Sequence, residues 1–385
     1  MRWQEPEDES LKMIVDAVRR FGKEEVEPVY ATHEDGGIFP TELVKKMGEM
    51  GLFGLMIPEA YGGLGMGAVA GSFVARELAY YWPSLHLIWT ANSSLAAFPI
   101  VHAGTEEQKK RILPRLASGE ILGCYALTEP NAGSDAKSQA THANRVKGDP
   151  LLPWVMNGGK IFITNPLHAS VAVVFARTSK KDVSAFLVES SEPGLKYPGL
   201  STRLIEKYML KSSDFCELTF TDVRLTENAL LGEKGKGFAI AMQTLDGGRI
   251  NIAAQAVGMA MRLFDSALEY AHTRKQFGHS LFENQKVAFD FAEAWSALRA
   301  AWALTLEAAQ MRDRGEPVSR IASSAKFIAT ETAWKVASKV MTTFGGMAVT
   351  KELRMFPRFM DVFPTLIYEG ANNIQEIVIA KHLYD

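Results

Sequence analysis

YALTEPNAGSD, residues 125–135, and NGGKIFITN, residues 157–165, lie in the part of this chain that decides its fold. From residue 122 to residue 230 the sequence consists of short β-rich runs, separated by polar and Gly-containing turns. Several runs alternate apolar with polar residues, which predicts an antiparallel sheet with one covered face. Long helical patterns do not separate the runs, so the sequence disfavours a doubly wound nucleotide-binding fold.

Helical patterns lie on both sides of this region. In residues 7–121 apolar positions recur at helical spacing. The segment TEEQKKRILPRLASG starts with a capping box, in which Thr105 is followed by Gln108. Thr41 is a candidate cap for an earlier helix. A helical domain is therefore expected before the β region.

Residues 231–385 return to long helices. After the GEKGKG loop one continuous pattern runs through GKGFAIAMQTLDGGRINIAAQAVGMAMRLFDSALEYAHTR, and two more helices are predicted over 283–313 and 317–344. These helices are apolar around much of their circumference, which is typical of buried helices, often ones that pack against another subunit.

The order of patterns predicts an α+β protein with three domains. These are an N-terminal α-helical domain at 1–121, a central antiparallel β domain at 122–230, and a C-terminal four-helix-type bundle at 231–385. That order alone does not identify a function.

Composition excludes several classes of protein. The 385 residues carry 42 Lys and Arg against 44 Asp and Glu, so a net charge of −2 favours neither nucleic acid nor an anionic membrane as partner. The two cysteines have no metal-ligand spacing, and we expect no metal. No apolar run of about 18 residues predicts a membrane span. The acidic N-terminus resembles no targeting signal, which favours a bacterial or archaeal cytoplasmic protein, or a mitochondrial matrix protein whose transit peptide was removed.

Three Gly-containing segments are candidates for ligand binding. GGLGMG at 62–67 has Ala68 where a third fingerprint glycine would be needed, and GEKGKG at 232–237 lacks the ending of a phosphate loop, so both are interpreted as plain loops. The turn in YALTEPNAGSD exposes backbone N–H groups and a hydroxyl that suit a phosphate or a carbonyl. From the residues alone, an ordinary tight turn is an equal alternative.

Five segments in the same order resemble one family. YALTEPNAGSD with NGGKIFITN resembles the paired flavin-binding signature of the acyl-CoA dehydrogenases. CELTFTDVRLTENALLGEKGKGF at 216–238, TRKQFGHSLFENQ at 273–285 and LIYEGANNIQ at 366–375 resemble three further family segments. The likeness runs from about residue 7 to the end of the chain.

The resemblance implies an oxidoreductase of β-oxidation that holds FAD and converts an acyl-CoA thioester to the 2-enoyl-CoA. Glu369 would take the α-proton, and flavin N5 would accept the β-hydride. Some family members carry the base just before the Arg of LDGGR, but here that position is Gly248. Electrons would pass to an electron-transfer flavoprotein, and the enzyme would be a homotetramer, a dimer of dimers.

The resemblance also assigns binding roles, residue by residue. Contacts to the flavin ring and pyrophosphate are implied for Tyr125, Leu127, Thr128, Gly133, Ser134, Phe162 and Thr164. Contacts to the adenine end, some across a subunit interface, are implied for Arg274, Phe277, Gln285, Thr342, Gly345, Gly346, Ala371 and Asn373. Contacts to the acyl-CoA are implied for Leu95, Ser134, Asp246, Arg249, Tyr368 and Gly370.

Several of these positions depart from the usual family residue. Phe162 stands where Trp is usual, so stacking is kept and an indole N–H is lost. Thr342 replaces a common Gln, and Ala371 and Asn373 replace a usual Thr and Gln. These departures bear on the affinity for FAD and leave its identity unchanged.

The helix expected to line the acyl pocket, 87–95, is apolar, with Trp89 protruding. No Arg lies there to hold a second carboxylate, so a monocarboxylic, short-to-medium acyl group is expected, branched and cyclic groups included. His86 is either a structural residue or a substrate ligand. Two alternatives to a dehydrogenase stay open at this point: an acyl-CoA oxidase, and a non-catalytic or DNA-associated member of the same superfold.

Overall fold

The central β region forms one eight-stranded sheet in the computed structural model, which describes residues 3–146 and 148–383. The strands are short, and polar or Gly-containing turns separate them as the sequence predicts. They are β1 Leu122–Ala126, β2 His142–Arg145, β3 Trp154–Ile163, β4 Ala169–Arg177, β5 Val183–Glu189, β6 Leu200–Leu204, β7 Cys216–Leu225 and β8 Leu230–Leu231.

The strand order is β6-β7-β3-β2-β4-β5-β8, with β1 beside β4. Most neighbours are antiparallel, as expected, but β1 and β2 each pair with β4 in parallel. Parallel pairing requires a long connection between the strands, and the whole segment from β2 to β3 supplies it between β1 and β4. Alternation within single runs carries no information on these two pairings, so the sequence did not reveal them.

Strand β4 is buried on both faces. Val171, Val173 and Phe175 point into an apolar cluster with residues of the helices before the sheet. The alternate residues, such as Ala172 and Val174, point into a second cluster formed within the sheet region. The near-continuous apolar sequence SVAVVFA follows from this arrangement, because a strand covered on both faces needs no polar side.

The residues before the sheet are helical, as predicted. One-turn irregularities with wider π-type geometry, Gly22–Val26 and Ala91–Ala96, interrupt two of the helical stretches. The capping box of Thr105 and Gln108 is present with both of its hydrogen bonds. The helices are α1 Glu9–Phe21, α2 Glu27–Gly36, α3 Thr41–Glu49, α4 Gly67–Tyr81, α5 Pro83–Thr90, α6 Ala97–Ala103 and α7 Glu106–Ser118.

The residues after the sheet form long helices, which confirms the predicted fold class. Phe264 and Phe291 pack edge to face with ring centroids 5.3 Å apart, which joins the first two of these helices. A small two-stranded hairpin, β9 Lys275–Gln276 and β10 His279–Ser280, lies between them. The helices are α8 Gly237–Thr273, α9 Gln285–Asp313, α10 Ser319–Met341, α11 Met355–Met360 and α12 Asn372–Lys381.

Inter-residue contacts divide the chain into two compact units that are not continuous in sequence. Unit 1 comprises 1–31, 68–86 and 249–385, and unit 2 comprises 32–67 and 87–248. The three domains expected at 1–121, 122–230 and 231–385 describe the order of elements, and their boundary residues stay a prediction. Residues 1 and 385, with which that division begins and ends, lie outside the described part of the chain.

Within unit 1, Gly258 of α8 allows a close approach of α4. A Cβ at this position would lie 2.1 Å from the carbonyl oxygen of Arg76, a main-chain atom that cannot rotate away. Ala has the higher helix propensity, by about 1 kcal/mol, so packing and propensity oppose each other here.

We predict that Gly258→Ala destabilises the protein by about 1–3 kcal/mol, because overpacking against backbone outweighs the gain in propensity. Thermal unfolding would measure the effect. Gly36→Ala, where the added Cβ would meet only the flexible end of Ile38 at 3.1 Å, is the matched control and should change the midpoint little. An unchanged midpoint in Gly258→Ala would contradict this account of the α4–α8 contact.

Candidate active site

A buried lysine ties together the two sequence segments that resemble the flavin signature. Lys160, in β3, has no exposed surface. Its ammonium donates to the carbonyl oxygen of Leu127 at 2.9 Å, to Oε1 of Glu129 at 2.8 Å and to Oε1 of Gln139 at 2.8 Å. All three acceptors lie on the segment that follows β1, so this segment is fixed to β3.

Glu129 connects the start of the segment after β1 to its end. Its carboxylate accepts the backbone N–H groups of Ala140 at 2.5 Å and Thr141 at 3.0 Å. Burial alone would raise the pKa of Glu129, but the Lys160 charge and these hydrogen bonds lower it overall. Burial lowers the pKa of Lys160 to about 8 against the pull of Glu129. Both groups are therefore ionised at neutral pH, and the ion pair is complete.

The main chain at Leu127 and Thr128 is oriented from two directions. The carbonyl of Leu127 faces Lys160, and the carbonyl of Thr128 accepts the N–H of Ile161 at 2.9 Å. In a trans peptide the C=O of one residue and the N–H of the next point in opposite directions. The N–H of Thr128 therefore points away from Lys160. A main chain held in this way can present backbone groups to a ligand without reorganisation.

The end of β3 exposes an aromatic ring. Phe162 is 53% exposed and stacks on Phe215, with ring centroids 5.0 Å apart and planes 13° from parallel. Its φ of 64° is left-handed, a conformation that costs free energy for a bulky residue. Asn165 is also left-handed and is held by bonds from Nδ2 to the carbonyls of Ile88 at 3.0 Å and Gly123 at 3.2 Å. Half-buried Thr164 lies between these two fixed residues.

Space for a ligand exists at the tip of the other segment. Gly133 and Ser134 are exposed, and apart from the two chain neighbours of Gly133 no described residue has an atom within 4 Å of the position that a Cβ of Gly133 would take. Tyr125 is half-buried in β1, where its ring packs against Phe175 at 5.0 Å. The residues predicted to contact the flavin ring and the pyrophosphate all belong to unit 2, as do Leu95 and Asp246. They are Tyr125, Leu127, Thr128, Gly133, Ser134, Phe162 and Thr164.

The predicted base lies in unit 1, in a strained turn before α12. Glu369 has φ 56° and Gly370 has φ 92°, so both are left-handed. Oε2 of Glu369 is buried and accepts no hydrogen bond from the described residues. Burial raises the pKa of Glu369 to about 7, although the charges of Arg249 and Lys326 oppose the rise. A carboxyl group with a pKa near neutrality is suited to proton transfer.

The residues around this carboxylate are held by neighbouring helices. Tyr368 donates its hydroxyl to Oε1 of Gln255, on α8, at 2.8 Å. Arg249 on the same helix is also buried. The segment that carries the predicted base is therefore attached to α8 on one side.

The residues assigned to the adenine end are exposed. Phe277 and Gly278 form the left-handed tip of the β9–β10 hairpin, and Phe277 is 95% exposed. Gly345 and Gly346 have open space around them within the described structure. Arg274, Gln285, Thr342 and Asn373 are also exposed, and Ala371 is half-buried.

The helix expected to line the acyl pocket differs from expectation in one respect. Trp89 does not protrude: it is fully buried, and its Nε1 donates to the carbonyl of Leu52 at 2.8 Å. Inside a core an indole ring can bury its apolar surface while its N–H finds an acceptor. The apolar sequence around Trp89 did not show that the ring is buried in this way. His86 is also fully buried, and burial lowers its pKa to about 3, so the ring is neutral. Leu95 is half-buried in the π-type turn.

Sequence reasoning missed the residues that hold the site in place. Glu129 lies in YALTEPNAGSD and Lys160 in NGGKIFITN, but the sequence predicted no role for either. It predicted none for Lys326 and Asn372 either. A detectable signal existed for Lys160, since a charged residue inside an apolar β run such as KIFITN requires a buried partner. Nothing comparable marked Lys326, which is one of several lysines on α10.

Three models of the acyl-CoA dehydrogenase family match the chain. The N-terminal domain matches residues 8–120, the middle domain residues 124–223, and the C-terminal domain residues 235–384. The bovine mitochondrial short-chain specific acyl-CoA dehydrogenase is 40% identical over 97% of this chain and 90% of its own length. The short-chain specific acyl-CoA dehydrogenase of Clostridium acetobutylicum is 38% identical over 97% of both chains.

Solved structures agree with these relatives. Butyryl-CoA dehydrogenase from Megasphaera elsdenii superposes with a TM-score of 0.94 at 34% identity over the full length of both chains. A chain from work on the electron transferring flavoprotein of Acidaminococcus fermentans gives the same TM-score at 36% identity and full coverage. A Mycobacterium smegmatis glutaryl-CoA dehydrogenase in complex with FADH2 gives 0.91 at 28% identity, covering 98% of this chain and 95% of that one.

The chain belongs to the acyl-CoA dehydrogenase family. The predicted enzyme class, an acyl-CoA dehydrogenase, is confirmed. The roles assigned to individual residues stay predictions. Within residues 3–146 and 148–383, no helix is long and apolar enough to cross a membrane, and no group of acidic, His and Cys side chains could hold a metal ion.

The Lys160–Glu129 pair generates a prediction on stability. Lys160→Met should destabilise the fold by about 3–5 kcal/mol, because it leaves the Glu129 carboxylate buried without its counter-ion. The double variant Lys160→Met/Glu129→Gln should recover part of this loss, since no unpaired charge remains. Thermal or denaturant unfolding would measure both.

The matched control is Lys196→Met. Lys196 also forms an ion pair, with Glu192 at 3.0 Å, but both side chains are well exposed. An exposed pair contributes about 0–1 kcal/mol, so this variant should unfold like the wild type. Equal effects of the two single variants would show that burial of the Lys160 pair has no energetic consequence.

Proposed function

We propose that this protein dehydrogenates a short-chain acyl-CoA to the 2-enoyl-CoA, with Glu369 as the base and an electron-transfer flavoprotein as the electron acceptor. FAD is its cofactor. One observation supports the role of Glu369: its Oε2 is buried and has no hydrogen-bond partner among the described residues, and burial raises the pKa of its carboxyl group to about 7. Because its relatives include bacterial acyl-CoA dehydrogenases, we propose a cytoplasmic location for this protein.

The residues of unit 2 suit a flavin. The exposed ring of Phe162 offers an aromatic surface to a planar group, and it retains this role although Trp is usual in the family. The oriented main chain at Leu127 and Thr128 can donate to polar ring atoms. The open space at Gly133, beside the Ser134 hydroxyl, admits a phosphate close to the backbone.

The chemistry divides between the cofactor and the side chain. FAD, when bound, supplies the acceptor for the β-hydride, which protein side chains lack. Oε2 of Glu369 takes the α-proton. Because the thioester α-proton is only weakly acidic, a base whose pKa lies near neutrality transfers it more readily than an ordinary carboxylate. Exclusion of water around the carboxylate strengthens the electrostatic interactions that stabilise the developing enolate.

The acyl group is proposed to be short. Relatives of about 40% identity are specific for short chains, and a structural neighbour acts on butyryl-CoA. The described segment 87–95 contains no cation that could hold a second carboxylate. A monocarboxylic acyl group of about four carbons therefore fits better than a long or dicarboxylic one.

An acyl-CoA panel tests this function. With an artificial electron acceptor, butyryl-CoA should turn over fastest, octanoyl-CoA more slowly, and glutaryl-CoA poorly. Oxygen consumption should remain a small fraction of turnover, which separates a dehydrogenase from an acyl-CoA oxidase. A preference for glutaryl-CoA would refute the assigned acyl group. Turnover driven by oxygen would refute the proposed electron acceptor, and absence of turnover with every thioester would favour a non-catalytic protein.

Glu369→Gln is predicted to lower turnover by about 10²–10⁴-fold or more, because it removes the base and keeps the side chain's size. The variant should still bind FAD and acyl-CoA, as flavin absorbance and its perturbation by substrate would report. Glu376→Gln, an exposed carboxylate in α12, is the matched control and should be fully active. Rapid flavin reduction in Glu369→Gln would disprove the assignment and direct attention to Asp246.

The protein is proposed to be a homotetramer, a dimer of dimers. Phe277 supports an interface because the family resemblance assigns its segment to the FAD of a neighbouring subunit, and its side chain is 95% exposed at the tip of the β9–β10 hairpin. Light scattering should give a mass of four chains for the FAD-loaded protein. Phe277→Ser should weaken both assembly and FAD retention, whereas Tyr208→Ser, an equally exposed aromatic in unit 2, should affect neither. A fully active monomer that retains FAD would exclude this arrangement.

A further inference from the structure

A second buried lysine is bonded to the turn that carries the predicted base. Lys326 lies in α10 and has no exposed surface. Its ammonium donates to the carbonyl oxygen of Gly370 at 3.0 Å and to Oδ1 of Asn372 at 2.7 Å. Gly370 follows Glu369 directly in the sequence, and Asn372 lies two residues further on. The lysine therefore binds the main chain of the base's own turn.

The main chain of this turn is held at both of its left-handed residues. Gln375 donates Nε2 to the carbonyl of Gly370 at 2.7 Å and to that of Glu369 at 3.2 Å. Lys326 provides the second donor to Gly370. A left-handed Glu is unfavourable by about 1–3 kcal/mol and persists only where its surroundings determine it. In this structure the side chains of Lys326 and Gln375 provide such surroundings, because they donate to the carbonyls of the turn.

Asn372 connects the lysine to the rest of α10. Because Lys has no acceptor, its bond identifies the Asn372 atom that it contacts as the oxygen. The amide nitrogen then donates to Oγ1 of Thr330 at 3.0 Å and to Oε1 of Glu331 at 3.0 Å. This orientation leaves the Asn372 side chain with its donors and its acceptor in use, so the first residue of α12 is fixed.

The electrostatic surroundings of Lys326 are mixed. Burial lowers its pKa to about 7, Glu369 and Glu331 act to raise it, and Arg249 of α8 acts to lower it further. For Glu369 the opposing charges are Arg249 and Lys326. Tyr368, beside the base, has its pKa raised well above the usual value by burial and stays neutral. The positive charge of Lys326 therefore acts on the predicted base and lowers the pKa of Glu369.

We propose that Lys326 is a positioning residue for the reaction, which holds the left-handed Glu369–Gly370 turn through its main chain and supplies positive charge that favours the ionised form of Glu369. This inference rests on the proposed role of Glu369 as the base. A lysine that only filled a core position would be replaceable by an apolar side chain of similar length, such as Met, without loss of function.

The test compares variants of the full-length holoenzyme with butyryl-CoA and an artificial acceptor. In the wild type kcat/KM should rise with pH as the base loses its proton. Lys326→Met removes the charge and the donor. It should shift this acidic limb to higher pH by about one unit or more, since loss of a nearby opposite charge favours the protonated carboxyl. It should also lower the high-pH plateau of kcat by about 10²-fold through misplacement of the base, with a much smaller change in KM.

Two further variants separate the contributions. Lys326→Gln keeps a donor for the Gly370 carbonyl and loses the charge, so the limb should shift while the plateau falls less; this variant also serves if Lys326→Met does not fold. Lys335→Met, on an exposed lysine of the same helix that pairs with Glu331 at 3.8 Å, should have the wild-type profile. Adding Lys326→Met to Glu369→Gln should cause little further loss, because Lys326 acts through Glu369.

The proposal and the function on which it rests fail differently. An unshifted limb and a normal plateau in Lys326→Met or Lys326→Gln, with Glu369→Gln inactive, would overturn the role of Lys326 alone. A proportional loss of FAD content and of activity, with no change in the pH profile of the remaining enzyme, would also overturn it and leave a structural role. An active Glu369→Gln enzyme would remove the base assignment itself.

Discussion

The arrangement of the predicted flavin-binding residues depends on the hydrogen bonds that the buried ammonium group of Lys160 donates. It binds the carbonyl of Leu127, the carboxylate of Glu129 and the amide of Gln139 at 2.8–2.9 Å. Removing an ammonium group from water has a large cost, which strong hydrogen bonds must offset. Three well-placed acceptors do so only if the segment after β1 keeps one conformation. The need to satisfy one buried ammonium group thus determines the conformation of the loop after β1.

Unit 1 contains an analogous arrangement at Lys326. In both places a buried lysine donates to a main-chain carbonyl next to a residue with a predicted chemical role. Because the peptide unit is planar, a carbonyl held in this way also fixes the orientation of the N–H group that follows it. The two sites differ in their counter-ion. Glu129 forms a direct ion pair with Lys160. Lys326 instead donates hydrogen bonds to neutral acceptors, and the charges of Glu369 and Glu331 act on it without a direct ion pair.

The sequence predicted the elements that depend on local rules. The capping box at Thr105 and the long helix after GEKGKG are both present, because caps and helical periodicity act over a few residues. Thr41 does not cap α3: Pro40 occupies the cap position and no side-chain bond is formed there. The parallel β1–β4 pairing and the burial of Trp89 were also missed. Both depend on contacts between residues distant in sequence, which no local pattern contains.

The backbone of the candidate site was the least predictable part. Eight non-glycine residues have positive φ in the part of the chain that the structure describes, and five of them lie in segments that resemble the family: Phe162, Asn165, Asp222, Phe277 and Glu369. Intrinsic preference opposes this conformation for Phe and Glu, so local reasoning assigns them ordinary φ values. Such conflicts between local preference and structure are expected where function imposes a geometry. At Glu369 the conflict is resolved by donors from α10 and α12, so the conformation of the predicted base depends on Lys326 and Gln375 as well as on its own residues.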